Sequence, residues 1–229
     1  MTGLTDQAGG PRSELHGDPK KAREVWQESM LRRIDQLRGD LQDQQPQLVA
    51  DRCGAEYKDE CLVIPYWGEK ISIRWLDLEA VDSAGEPLST FDTAMIIYHL
   101  HTSDGAPMAD RWISFRELPN GAFYNQAFQG YSGDRVAQHF GTTPERFEAA
   151  SQALEGLKLS SFADHAYAFQ PLPRVRMAAV LWPGDDEFPA KASVLFDAAA
   201  YHYMTTDGLA LLGAGLTHRL IGMDATDKN

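Results

Sequence analysis

Ala166-Tyr167-Ala168-Phe169-Gln170-Pro171-Leu172, Val175-Arg176-Met177-Ala178-Ala179-Val180-Leu181 and Ala192-Ser193-Val194-Leu195-Phe196 decide the fold class. Each is a short apolar run rich in aromatic or β-branched residues and bounded by turn residues, which reads as a strand. Upstream, residues 61–66 and 70–75 make two more such runs around Trp67-Gly68-Glu69. The second alternates, with Ile71, Ile73 and Trp75 on one face, so the pair reads as a hairpin, and residues 78–81 extend it as a third strand.

Helical spacing occupies the rest. Ser89-Thr90-Phe91-Asp92 has the form of a capping box, with Asp in place of Glu or Gln, and opens a helix over 90–101. Met95, Ile96, Ile97, Tyr98 and Leu100 make that helix apolar on more than one face, which places it centrally. A second helical block covers 122–140, interrupted by Gly130 and Gly133. Thr143-Pro144 starts a helix carrying Phe147, Ala150 and Leu154, and Thr206 or Asp207 opens a last one to about 221 with Leu209, Leu212, Leu216 and Leu220 inward. Strands and helices come in blocks rather than in strict alternation. The expectation is therefore an α+β domain, a largely antiparallel sheet flanked by helices.

At the start, Asp18-Pro19 supplies a cap and a first-turn proline. Trp26, Met30, Ile34, Leu37 and Leu41 then form the stripe of an N-terminal amphipathic helix that closes before Pro46. It either packs on its own domain or serves as a partner-binding arm. The expected organisation is a disordered lead over 1–17, one domain over 18–222 including the arm at 18–46, and a tail over 223–229.

Thirty-three Asp and Glu against 21 Lys and Arg give a net charge of -12, which repels phosphate backbones and anionic membrane surfaces. Neither nucleic acid nor membrane is an expected partner; a small-molecule ligand is, and a homo-oligomer is left open. Residues 1–11 have no basic start and no apolar run, and no stretch reaches the roughly 20 apolar residues of a membrane span. A cytoplasmic protein is expected. Cys53 and Cys61 are the two cysteines, read as free thiols; four-cysteine ligation of an iron–sulfur cluster is impossible with them.

Four segments together resemble the bacterial family known as DUF3786, a domain of unknown function. They are the hairpin with Trp67-Gly68, the run Trp112-Ile113-Ser114-Phe115-Arg116-Glu117-Leu118-Pro119, the block from Trp182 to Ala190, and Leu195-Phe196-Asp197 leading to His202-Tyr203. The likeness extends from the first helix to Leu220. It implies no established activity. Some relatives carry extra cysteine-rich sequence and an iron–sulfur label, which this chain does not match. The family's association with corrinoid and metal-cofactor metabolism implies a tetrapyrrole, haem or cobalamin, as the guest to consider.

Three sets of residues carry candidate chemistry. Asp185, Asp186 and Glu187 follow the turn Pro183-Gly184, where adjacent carboxylates could converge on a divalent metal such as magnesium or calcium; equally, they could cap backbone amides or pair with Arg174 or Arg176. Arg116, beside Glu117, suits bidentate recognition of an anion, or a buried pair with Asp197 or the acidic turn. His202 and His218 are candidate axial ligands. Leu211, Gly215 and His218 share a helix face with Ala214 alongside, leaving room for a flat macrocycle or for close backbone packing. The expected site lies where Trp112, Arg116 and Glu117 meet Trp182 and Phe188. The leading expectation is a small-cofactor-binding protein without catalysis of its own. The alternatives are a divalent-metal-dependent enzyme acting on a small anionic substrate, and a scaffold working through the first helix.

Overall fold

The computed structural model describes residues 19–226. The strands divide between two sheets, and every pairing within them is antiparallel. The first has the order β1 (Glu56–Lys58), β2 (Cys61–Tyr66), β3 (Glu69–Arg74), β4 (Ala80–Val81). Leu62 faces Ile73 and Ile64 faces Ile71, which puts one apolar row inward and leaves Pro65, Lys70 and Arg74 in water. The second sheet contains β5 (Trp112–Ser114), β6 (Leu157–Lys158), β7 (His165–Leu172), β8 (Val175–Trp182) and β9 (Lys191–Asp197) in the order β5-β9-β8-β7-β6. The α+β class holds. The split into two sheets has a local cause in β7. Its register against β8 shifts between Phe169 and Leu172, and Pro171, inside that shift, gives its carbonyl to the Trp67 N–H at 2.9 Å. The hairpin thus meets the larger sheet at a corner instead of extending its ladder.

The helices are α1 (Pro19–Gln42), α2 (Pro46–Cys53), α3 (Thr90–Thr102), α4 (Gly121–Tyr131), α5 (Gly133–Phe140), α6 (Pro144–Ala153) and α7 (Thr206–Thr226). The lead over 1–17, the Asp18 cap and the side chains of Trp26 and Met30 lie outside the described residues. Leu37 and Leu41 of α1 are buried and Ile34 packs against the core, so this part of the helix docks on its own domain. The Gln42 side-chain amide adds a hydrogen bond to the Leu76 carbonyl at 2.6 Å. The sequence reading missed α2, β1, β5 and β6; their two to eight residues are too short to show a period.

One face of the larger sheet carries Ile113, Phe169, Met177 and Phe196 toward the helices. Phe128 of α4 stacks on Phe115 with centroids 4.2 Å apart and reaches Phe196 at 5.8 Å. Gly213 of α7 makes room for that cluster: a Cβ there would stand 2.8 Å from the Phe128 ring. Helix α7 also runs a turn beyond the expected 221, because Asp224 is buried and takes hydrogen bonds from Arg146 and His139.

Helix α3 is central, as its sequence implies. Ser89 Oγ accepts the Asp92 N–H at 3.1 Å, completing the cap, and Thr93 to Leu100 are buried without exception. His99 is the one buried imidazole among the described residues. Its Nδ1 lies 3.0 Å from the Tyr203 carbonyl and its Nε2 3.2 Å from the Cys53 carbonyl. Burial pushes its pKa from the ordinary 6.5 down to about 4, against the opposing pull of those two carbonyls. The unfolded chain therefore binds a proton that the folded one refuses. Stability contributed by the neutral ring is present above pH 6.5 and is lost as pH falls toward 4, at about 1.4 kcal/mol per pH unit. Urea melts between pH 7 and 4 should show this slope, and His99→Gln, less stable at pH 7, should lose that contribution to it.

Candidate functional site

The register of β9 settles where the expected site residues stand. Trp112 pairs with Asp197 at one end of β9, and Trp182 pairs with Lys191 at the other. Six residues of strand separate them, about 20 Å. Trp112 and Trp182 therefore do not share a pocket. Arg116 and Glu117 belong to a 3₁₀ turn, Phe115–Glu117, and both are exposed. Glu117 accepts hydrogen bonds from the Ser114 hydroxyl at 2.7 Å and the Ser114 N–H at 2.8 Å, which hold its carboxyl below the usual range. Arg116 has no ion pair among the described residues, and Asp197, 1 % exposed, spends its carboxylate on the Ala109 and Ala199 N–H groups.

The acidic turn is stabilised by its own backbone. Asp185 Oδ1 accepts from the N–H groups of Glu187 and Phe188 at 2.9 and 2.7 Å, and the Asp185 N–H returns to the Phe188 carbonyl. Asp186, Glu187 and Phe188 are exposed, and no group of three or more potential metal ligands occurs among the described residues. Arg176 pairs with Asp110 and lies over the Trp112 ring at 5.3 Å, while Arg174 donates to the Arg52 carbonyl. His202 Nδ1 is held 2.6 Å from Asp104 Oδ2, a contact that lowers the Asp104 pKa. His218 is exposed on α7. Neither histidine lines the cleft described below. The small residues of α7 admit aromatic side chains instead: Phe128 at Gly213, and Trp67 beside Gly215. Cys53 and Cys61 are free thiols, and burial pushes that of Cys53 up to about 11.

A cleft of about 730 Å³ opens elsewhere, between the hairpin tip, the end of α6, β7 and the end of α7. Its floor and walls are apolar through Ile71, Leu154, Leu157, Ala168 and Phe169, with Gln170 contributing an amide. Trp67 and Gly68 form the two-residue turn between β2 and β3, with φ of +51° and +85°. Both values lie in the left-handed region, as a type I′ turn demands, and a tryptophan there costs about 1 kcal/mol. That strain places the Trp67 indole in the cleft wall, where Arg219 of α7 lies over it at 4.3 Å. Beside it, the Tyr66 hydroxyl donates to Asp92 Oδ1 at 2.7 Å, and Ser89 Oγ donates to Oδ2 at 2.6 Å. Burial first, then Asp92, raise the Tyr66 pKa, so the phenol keeps its proton. The Trp67-Gly68 pair was visible in the sequence as a turn. Its partner Arg219, next to the histidine that drew attention, carried no local signal.

The fold defines an α+β domain with a cleft of about 730 Å³ between a hairpin sheet and a larger antiparallel sheet, and a second of about 530 Å³ lined by His165, Leu181 and Trp182. The chain belongs to the DUF3786 family, described as a domain of unknown function, whose model matches residues 45–219. Searches of curated proteins and of solved structures found no match. The matched segment contains the lining of the cleft from Tyr66 to Arg219 and leaves α1 outside.

Two substitutions contrast the polar clusters. Arg116→Ala should change stability by no more than about 0.5 kcal/mol, as an exposed residue without a partner. Asp224→Ala should cost about 2–3 kcal/mol by removing charge-assisted hydrogen bonds to Arg146 and His139. Urea denaturation of both variants measures the difference.

Proposed function

We propose that this protein is a cytoplasmic small-molecule-binding module that takes its ligand in the cleft between the two sheets. The observation that carries the reading is the cleft itself. Its volume of about 730 Å³ falls in the range of about 300–1,000 Å³ typical of small-molecule sites, and apolar walls stand beside polar and charged groups. The strained Trp67 supports it, since backbone strain held in place by surrounding contacts concentrates at ligand sites. Two free thiols suit a reducing compartment. Tetrapyrroles belong in the ligand set because their macrocycle is flat and largely apolar. His202 and His218 do not line this cleft, so binding there would rest on stacking and shape rather than on axial ligation by either histidine.

Thermal-shift screening of the full chain against a cofactor panel including haem and cobalamin tests the reading. At least one compound should raise the melting temperature, and Gln170→Trp, which fills the cleft from an exposed position, should abolish that rise. A ligand whose effect survives both Gln170→Trp and Trp67→Ala binds elsewhere and overturns the assignment.

A further inference from the structure

We propose that the cleft selects an organic monoanion with an apolar, aromatic body, and that Arg219 is the residue that holds its acidic group. This inference rests on the cleft being a ligand site. The argument is one of charges already satisfied. Among the ionisable residues lining the cleft, Asp92 takes hydrogen bonds from the Tyr66 and Ser89 hydroxyls and has no cation paired with it among the described residues, and Arg176 is paired with Asp110. Glu69 and Glu155 line the rim and are exposed to water. Arg219 is left. It is half-buried, and it has no carboxylate within 4.0 Å among the described residues, although the chain carries 33 Asp and Glu.

Its guanidinium carbon lies 4.3 Å from the centroid of the Trp67 ring, and its charge also acts on the Tyr66 phenol. A guanidinium carries five N–H donors, and contact with a ring leaves donors for an acid. Gly215 lies beside the pair: a Cβ there would make ordinary contact, 3.5 Å from Arg219 Nη1 and 3.7 Å from the Trp67 ring. An arginine held by an aromatic face and short of acceptors is prepared for a carboxylate, sulfonate or similar group. The rim carboxylates would repel a second negative charge, which limits the ligand to one. The apolar walls, Ala168, Leu157 and Phe169 among them, take the body.

Two fluorescent probes of nearly the same frame separate charge from shape: 8-anilinonaphthalene-1-sulfonate, which is anionic, and N-phenyl-1-naphthylamine, which is neutral. Both are titrated into the full chain and into Arg219→Gln, Arg219→Lys and Gln170→Trp, with circular dichroism confirming the fold. The native chain should bind the anion at least about tenfold more tightly than the neutral probe, the effect expected of hydrogen bonds to a charged group. Arg219→Gln should erase that preference while leaving the neutral probe unchanged, and Arg219→Lys should retain part of it. In the native chain, added salt should weaken the anion alone, a readout independent of any variant. If Gln170→Trp abolishes binding of both probes, but the native chain does not distinguish them or Arg219→Gln leaves the preference intact, the inference is overturned and the cleft stands as a site. If neither probe binds, or binding persists in Gln170→Trp, the cleft reading falls and this inference with it.

Discussion

Helix α3 has no solvent face, and the rest of the molecule is arranged around that fact. Eight consecutive residues, Thr93 to Leu100, are buried. Each neighbouring element must therefore supply apolar cover or a partner for a polar group. Leucines of α1 supply cover on one side. His99, a polar ring inside this helix, lies between backbone carbonyls from two distant places, the end of α2 and the segment after β9. Packed between them, the ring brings the start of the domain against its end. It stays neutral, because the interior would penalise a charge by several kcal/mol, and so donates its one N–H to one carbonyl at a time.

The second tie is Trp67. Its N–H bonds to β7, its ring lies against α7, and its backbone sits in a conformation that asparagine or glycine would adopt more cheaply. The cleft exists because this tie acts at a corner. The hairpin touches the larger sheet through its tip, so the two sheets diverge from that point and the space between them is not filled. The edge of β7 away from β8 is paired with β6, and the hairpin reaches β7 at Pro171, within its register shift against β8.

Features governed by near neighbours were readable from the sequence. The cap at Ser89, the interruption near Gly133, the alternation of Ile71 and Ile73 and the apolar runs of β7, β8 and β9 all appear where local pattern places them. Features governed by register were not. Trp112 and Trp182 flank the same strand, and nothing short of the pairing of β9 with both β5 and β8 tells that they lie at its opposite ends. The acidic turn was legible as a turn, and its backbone hydrogen bonds are the more modest of the roles open to it. The space left by Gly215 was also legible, and that at Gly213 was not. Which side chains occupy these spaces depends on α4 and on the hairpin, both far away in sequence.

The order β5-β9-β8-β7-β6 has a consequence for how the chain acquires its structure. Strands β7, β8 and β9 are successive in sequence and adjacent in space, so their meander can assemble from local contacts. Strand β5 cannot. Its partner is β9, with Ser114 opposite Leu195, and α4, α5, α6 and three strands must be made before that edge exists. During synthesis the middle of the chain must wait with Phe115 and Phe128 uncovered until the last strand emerges, the kind of interval in which exposed apolar surface is open to chaperones and to aggregation.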